Sequence, residues 1–235
     1  MRLFQITDNC WYSESDQTYD RPSLGYIRGS SMSVAVDTGN SPKHWNEFIQ
    51  ALELNGLERP SLCVLTHWHW DHVLGIKAAG VPVAACRMTQ LHLQEMCRWT
   101  DEEKKAFYDS NIYAQAEYLN WTEISPATAD IVFDTTLTLD IGGVDVCLEH
   151  VQGPHSDDSV LVSVPADGML FAGDSSAGDF STPNITYDPV LLRIYTEKIE
   201  SMYFRCFLHS HRQPLSRQET MEFLREAAER GYYTF

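Results

Sequence analysis

The segment Thr66-His67-Trp68-His69-Trp70-Asp71-His72 places three imidazoles and a carboxylate within six residues, directly after the apolar run Ser61-Leu62-Cys63-Val64-Leu65. Burying such groups unpaired costs several kcal/mol each, and a bound cation removes that penalty by taking up the nitrogen and oxygen lone pairs. In an extended chain His67 and His69 point the same way and can reach one ion. The chain must then turn for Asp71 and His72 to reach a second. Trp68 and Trp70 alternate with these histidines, so they are expected to point away and pack beneath the site.

Elements must hold this segment in place. Short apolar runs bounded by turn residues predict strands at 25–29, 33–39, 61–66, 82–85, 131–133, 137–139, 144–148, 160–164, 169–172 and 204–208. Helical spacing of Trp45, Phe48, Ile49 and Leu52 predicts a helix over 44–54, and 88–121 reads as mostly helical. Further helices are expected over 189–202 and 216–230, the latter opened by a capping box of Ser216 and Glu219. The strands fall into two groups interleaved with helices, which predicts an α/β architecture of two sheets with helices outside. No linker or low-complexity tract divides the 235 residues, so a single domain over 1–235 is expected.

Composition narrows the partners. Seventeen Lys and Arg against 33 Asp and Glu give a formal net charge of −16, which repels phosphate backbones and argues against a nucleic-acid partner. No apolar run approaches the roughly 20 residues that span a bilayer, so no membrane partner is expected. The opening residues Met1 to Asn9 do not read as a secretory signal, and the cytoplasm is the expected compartment. Six scattered cysteines (Cys10, Cys63, Cys86, Cys97, Cys147 and Cys206) contain no C-x-x-C pair. They read mostly as buried small apolar residues rather than a disulfide framework.

The H-x-H-x-D-H motif after a strand resembles that of the metallo-β-lactamase superfamily, in its glyoxalase II-like and lactonase-like branch. Other motifs of that family follow in order. Asp37 in Val36-Asp37-Thr38-Gly39 matches its first motif, an aspartate at a strand end behind the ligands. His155 in Gly153-Pro154-His155-Ser156-Asp157-Asp158-Ser159 looks like its G-H-[ST]-x-x-S turn, and Asp174 in Phe171-Ala172-Gly173-Asp174 looks like its bridging aspartate. His211 in Leu208-His209-Ser210-His211-Arg212 sits where the closing histidine falls, although Ser210 and Arg212 replace the usual glycines. His209 is the competing ligand, and His211 is favoured by its offset from the preceding strand.

The resemblance implies a four-layer αββα sandwich of two mixed sheets. It implies His67, His69 and His155 around one metal, Asp71, His72 and His211 around another, and Asp174 bridging both. Asp71 and Asp174 are then the catalytic carboxylates. Two zinc ions are the expected cofactors, with iron or manganese tolerated by similar sites. Two cations about 3.5–4 Å apart can hold a bridging hydroxide and polarise a carbonyl. The expected activity is hydrolysis of a small-molecule ester, thioester, lactone or amide.

Within the family, glyoxalase II enzymes add a C-terminal helical region, whereas 24 residues follow His211 here. Lactonases carry a substrate tyrosine soon after the bridging aspartate, and Tyr187 lies 13 residues beyond Asp174. The alternative function is a mononuclear-iron oxidoreductase of the persulfide dioxygenase type. Tyr19, Tyr187 and Arg212 are candidates to rim the pocket. His44, His92 and His150 read as surface or core residues, and Asp157 and Asp158 as turn formers. Oligomeric state has no signature in the sequence.

Overall fold

The computed structural model describes residues 1–182 and 184–234. The first sheet takes its strands in chain order: β1 (Leu3–Gln5), β2 (Cys10–Ser13), β3 (Gly25–Arg28), β4 (Ser33–Val36), β5 (Leu62–Val64), β6 (Val83–Cys86) and β7 (Ile131–Phe133). β1 to β4 form an antiparallel meander, and β4 to β7 are parallel. The parallel steps need crossovers, supplied by α1 (Pro42–Leu54), α2 (Trp70–Val73), α3 (Ile76–Ala79), α4 (Arg87–Cys97), α5 (Asp101–Ser110) and α6 (Ile112–Glu117).

The second sheet holds β8 (Thr136–Asp140), β9 (Asp145–His150), β10 (Val160–Val164), β11 (Met169–Gly173), β12 (Cys206–His209) and β13 (Leu215–Ser216). Its pairs are antiparallel except β11 with β12, which are parallel and bridged by α7 (Pro189–Ser201). After β13, α8 (Arg217–Arg230) starts at the capping box of Ser216 and Glu219.

Three apolar layers explain why these strands are hydrophobic at nearly every position. Val34, Val36, Leu62 and Val64 of the first sheet meet Val160, Val162, Val164 and Phe171 of the second between the sheets. The intervening Ala35 and Cys63 face Trp45, Phe48 and Leu52 of α1. Leu161, Leu170 and Phe207 face Leu192, Tyr195 and Ile199 of α7 and Leu224 of α8. Period-two alternation thus feeds a core on both faces of each sheet, and the layers are helix, sheet, sheet, helix.

The expected strands and long helices are present with small boundary differences. The helical stretch 88–121 is three helices, broken by the capping box of Thr100 with Glu103 and by Asn111, whose side chain caps α6. Strands β1 and β2 stand where no strand was expected. Of the six cysteines, Cys10, Cys63 and Cys86 are buried, Cys97 is exposed, and all six are free thiols.

Among the described residues, no helix is long and apolar enough to cross a membrane.

Candidate metal centre

The site lies where β5, β11 and β12 end and the β9–β10 loop returns. Strand β5 stops at Val64, and residues 65–69 continue without regular structure before α2 begins at Trp70. His67 and His69 occupy the stretch before the helix, whereas Asp71 and His72 are carried around by its single turn. Trp68 and Trp70 pack on the core layer beneath, with Trp70 edge-on to Phe107 and Trp68 stacked on His92.

Asp37 organises this turn. It adopts a left-handed backbone, with φ of 63°. Its Oδ1 accepts from the Thr66 amide at 2.7 Å, and its Oδ2 accepts from the Thr66 hydroxyl at 2.7 Å. The same Oδ2 lies 2.8 Å from His72 Nδ1. That contact places a ring hydrogen on Nδ1 and turns Nε2 toward the centre. Thr38 adds two hydrogen bonds, from its amide and hydroxyl to the His72 carbonyl, each 2.9 Å.

Two groups of donor atoms converge. His67 Nε2 and His155 Nε2 lie 3.2 and 2.8 Å from His69 Nδ1. His67 is supported through Nδ1 by the Thr66 hydroxyl at 3.2 Å, and His155 donates through Nδ1 to the Gly178 carbonyl at 3.0 Å. In the second group Asp71 Oδ2 lies 3.2 Å from His72 Nε2 and 3.1 Å from His211 Nε2. Asp174 Oδ2 stands between the groups, 3.4 Å from His211 Nε2, 3.7 Å from His72 Nε2 and 4.0 Å from His155 Nε2. Gly173 lets Asp174 come this close: its φ is 54°, and a Cβ there would sit 2.5 Å from the Thr66 hydroxyl oxygen.

Electrostatics separates the two groups. Burial and the neighbouring imidazoles keep His67 well below its ordinary value of 6.5, and His69 is lowered to about 3 chiefly by burial. Burial also lowers His155. These three rings are therefore neutral lone-pair donors. In the second group burial again opposes charge, but Asp71, Asp37 and Asp174 outweigh it and raise His72 well above 6.5. Asp174 and Asp71 likewise carry His211 up to about 9 against its burial. Burial would push the carboxyls of Asp71 and Asp174 upward, but the histidines beside them hold both well below the usual range.

These donors fit divalent cations. His72 Nε2 and Asp174 Oδ1 are buried without a hydrogen-bond partner, an arrangement that costs free energy unless something accepts their lone pairs. The nitrogen separations in the first trio are near the edge of a tetrahedron with 2.0–2.1 Å bonds, about 3.3 Å. The trio His67, His69 and His155, and the quartet Asp71, His72, Asp174 and His211, each bring their donor atoms within 4.8 Å of one another. The cluster supports divalent metal binding.

The remaining candidates lie elsewhere or differently. His209 belongs to neither group; its Nδ1 accepts from the His211 amide at 3.2 Å. Tyr187 does not rim the site: it is buried, and its hydroxyl donates to the Ser176 carbonyl at 3.0 Å. The Arg212 guanidinium lies over the Phe223 and Tyr233 rings. Tyr19 is half-buried under the Arg21 guanidinium. His44 is fully buried, with Nε2 unpartnered, and His92 lies 2.8 Å from Asp157. Asp157 and Asp158 lie in a turn, as expected, and burial of Asp158 there raises its carboxyl.

Two residues at the centre escaped the sequence reading. Asp20, with φ of 51°, brings its carboxylate 3.9 Å from His211 Nδ1. Burial, with Asp71 and Asp174 nearby, pushes it up to about 7. Phe180 stands edge-on to His155, with ring centroids 5.2 Å apart. Neither belongs to a spaced motif, and only the fold brings them in.

Comparison with solved structures finds the same architecture repeatedly. A metallo-beta-lactamase from Pontibacter korlensis is 21% identical over 95% of this chain and 98% of its own, with a TM-score of 0.65. A B3 metallo-beta-lactamase with an active-site glutamic acid is 15% identical over 98% of this chain and 90% of its own, at 0.68. The stereoselective inverting sec-alkylsulfatase Pisa1 from Pseudomonas sp. is 17% identical over 97% of this chain but 41% of its own, at 0.67. These likenesses carry the fold alone. No curated protein matches the sequence. The model of the metallo-beta-lactamase superfamily matches residues 24–203, a span that runs from β3 through both metal-ligating clusters as far as Asp174, and the chain belongs to that superfamily.

Proposed function

We propose that the protein is a dinuclear metal-dependent hydrolase, a single domain that uses zinc to cleave an ester, thioester, lactone or amide bond in a small molecule. The observation that carries this reading is the pair of adjoining donor groups with Asp174 Oδ2 between them. His67, His69 and His155 would hold one ion, Asp71, His72 and His211 the other, and Asp174 both. Two divalent ions so held supply a water acidified to a pKa of about 7 and a Lewis acid for the substrate carbonyl.

The chain's own groups have definite tasks. The Thr66 hydroxyl, the Gly178 carbonyl and Asp37 fix the ring orientation of His67, His155 and His72, so their other ring nitrogens face inward. Phe180 forms an apolar wall beside His155. Asp20 places its carboxyl beside His211 at the edge of the site.

Metal analysis of purified protein tests the reading, followed by turnover assays on esters, thioesters, lactones and β-lactams. Two equivalents of metal per chain and hydrolysis of at least one carbonyl class are expected. A fully loaded protein that saturates at one iron would instead favour the persulfide dioxygenase reading.

A further inference from the structure

Three consecutive amides after β12 are all occupied, and one of them uses a histidine ring. The Ser210 N–H donates to the Gly173 carbonyl at 3.0 Å, and the Arg212 N–H to the His209 carbonyl at 3.1 Å. Between them, the His211 N–H donates to Nδ1 of His209 at 3.2 Å. A ring nitrogen that accepts from an amide carries no hydrogen, so the hydrogen of neutral His209 sits on Nε2. Nε2 faces the Tyr233 hydroxyl at 3.2 Å and donates to it.

Tyr233 is itself fixed from several sides. Its hydroxyl also accepts from Arg212 Nε at 3.0 Å. Its ring lies nearly parallel to that of His209, at 5.9 Å and 16°. The Arg212 guanidinium covers the Tyr233 ring at 4.8 Å and the Phe223 ring at 4.9 Å. The Tyr233 amide donates to the Ile185 carbonyl at 2.8 Å. His209 is thus buried with both nitrogens engaged, while its Nδ1 is 3.7 Å from Asp174 Oδ1.

We propose that His209 and Tyr233 are positioning residues for the second metal, acting through the backbone of its last ligand. The bare Nδ1 of His209 holds the His211 amide, and Tyr233 holds the His209 ring. The His211 side chain is thereby presented with Nε2 3.1 Å from Asp71 and 3.4 Å from Asp174. A metal on His209 Nδ1 would have to displace that amide, so the residue supports the site without ligating in it. This inference rests on the dinuclear reading.

The test is a zinc titration of metal-free protein against a chelator of known affinity, with stoichiometry followed by native mass spectrometry. Wild type should take up two zinc ions. His209→Phe removes the acceptor, and should weaken the second zinc roughly 10-fold or more while leaving the first unchanged. His209→Asn offers an amide oxygen near the position of Nδ1 and should restore most of that loss. Tyr233→Phe should give a smaller loss, again confined to the second zinc. Should His209→Phe fail to fold, Tyr233→Phe decides alone, and a wild-type titration curve from it overturns the proposal.

Wild-type affinity in His209→Phe overturns it too. So does loss of the second zinc in both His209 variants while His211→Ala keeps it, since His209 would then be the ligand. A wild-type protein that binds only one zinc sinks the dinuclear reading itself, which distinguishes the two failures.

Discussion

Three of the imidazoles that face the centre have their outer nitrogen engaged: His67 by a hydroxyl, His155 by a backbone carbonyl, and His72 by a carboxylate. Such partners orient a ring and raise its basicity, and the carboxylate on His72 does so most strongly. Asp174 differs from all of these, because its Oδ2 alone reaches toward both groups. Asp174→Ala is therefore expected to abolish turnover by 100-fold or more while shifting the melting temperature only modestly. Measuring kcat/KM alongside a thermal melt checks this, and near-normal activity would show that Asp174 is not shared. The clustered His and Asp side chains were legible in the sequence because His and Asp at these spacings have few other uses. The Gly178 carbonyl was not, since a backbone acceptor carries no residue-type signature. Asp20 was not either, because it reaches His211 across 191 positions of chain only after folding.

At the scale of elements, the turn after β11 shows how a backbone conformation becomes a site. Gly173 ends the strand with φ of 54° against Thr66, which itself carries the hydrogen bonds to Asp37. Gly173→Ala should destabilise the protein by about 2 kcal/mol or more, from left-handed strain and the collision with Thr66. Urea unfolding measures it, and an unchanged midpoint would mean that the turn relaxes freely. The long strands and helices were readable from their periodicity. β1 and β2 were not, because β1 has only three residues and the segment lacks alternation strong enough to separate it from a loop. The fragmentation of 88–121 into three helices follows from Thr100 and Asn111, whose caps are visible in the sequence only once the boundary is known.

At the scale of the molecule, the two sheets are joined by more than their apolar layer. Asp167, in the turn from β10 to β11, accepts hydrogen bonds from the Thr7 hydroxyl, the Asn9 amide at 3.1 Å and the Asn9 side chain at 3.0 Å. These belong to the β1–β2 turn of the other sheet. Burial alone would raise its carboxyl, but the bonds from Thr7 and Asn9 hold it below the ordinary 3.8. Because the folded value is depressed, the stabilisation is present above about pH 4 and is lost as pH falls through the folded value. Asp167→Asn should therefore lower stability at neutral pH by about 1–2 kcal/mol and narrow the gap to wild type under acid. Paired denaturation curves at pH 7 and pH 3 check the sign, and a gap that widens in acid would refute it.

Asp167 and Asp174 flank β11 at opposite ends, with its five strand residues, Met169 to Gly173, between them. At the first end the sheets are buttoned by neutral donors on a carboxylate, and no metal takes part. At the other end each donor group draws members from both halves of the chain: His67 and His69 with His155, and Asp71 and His72 with Asp174 and His211. An ion taken up there is a rivet between the halves. Without it the ligand rim keeps hydrogen bonds between the halves, such as Val160 N–H to the Thr66 carbonyl at 2.7 Å, but crowds imidazoles together. Metal removal is then expected to loosen the ligand rim before the Asp167 end of β11, which amide exchange at the two ends would compare.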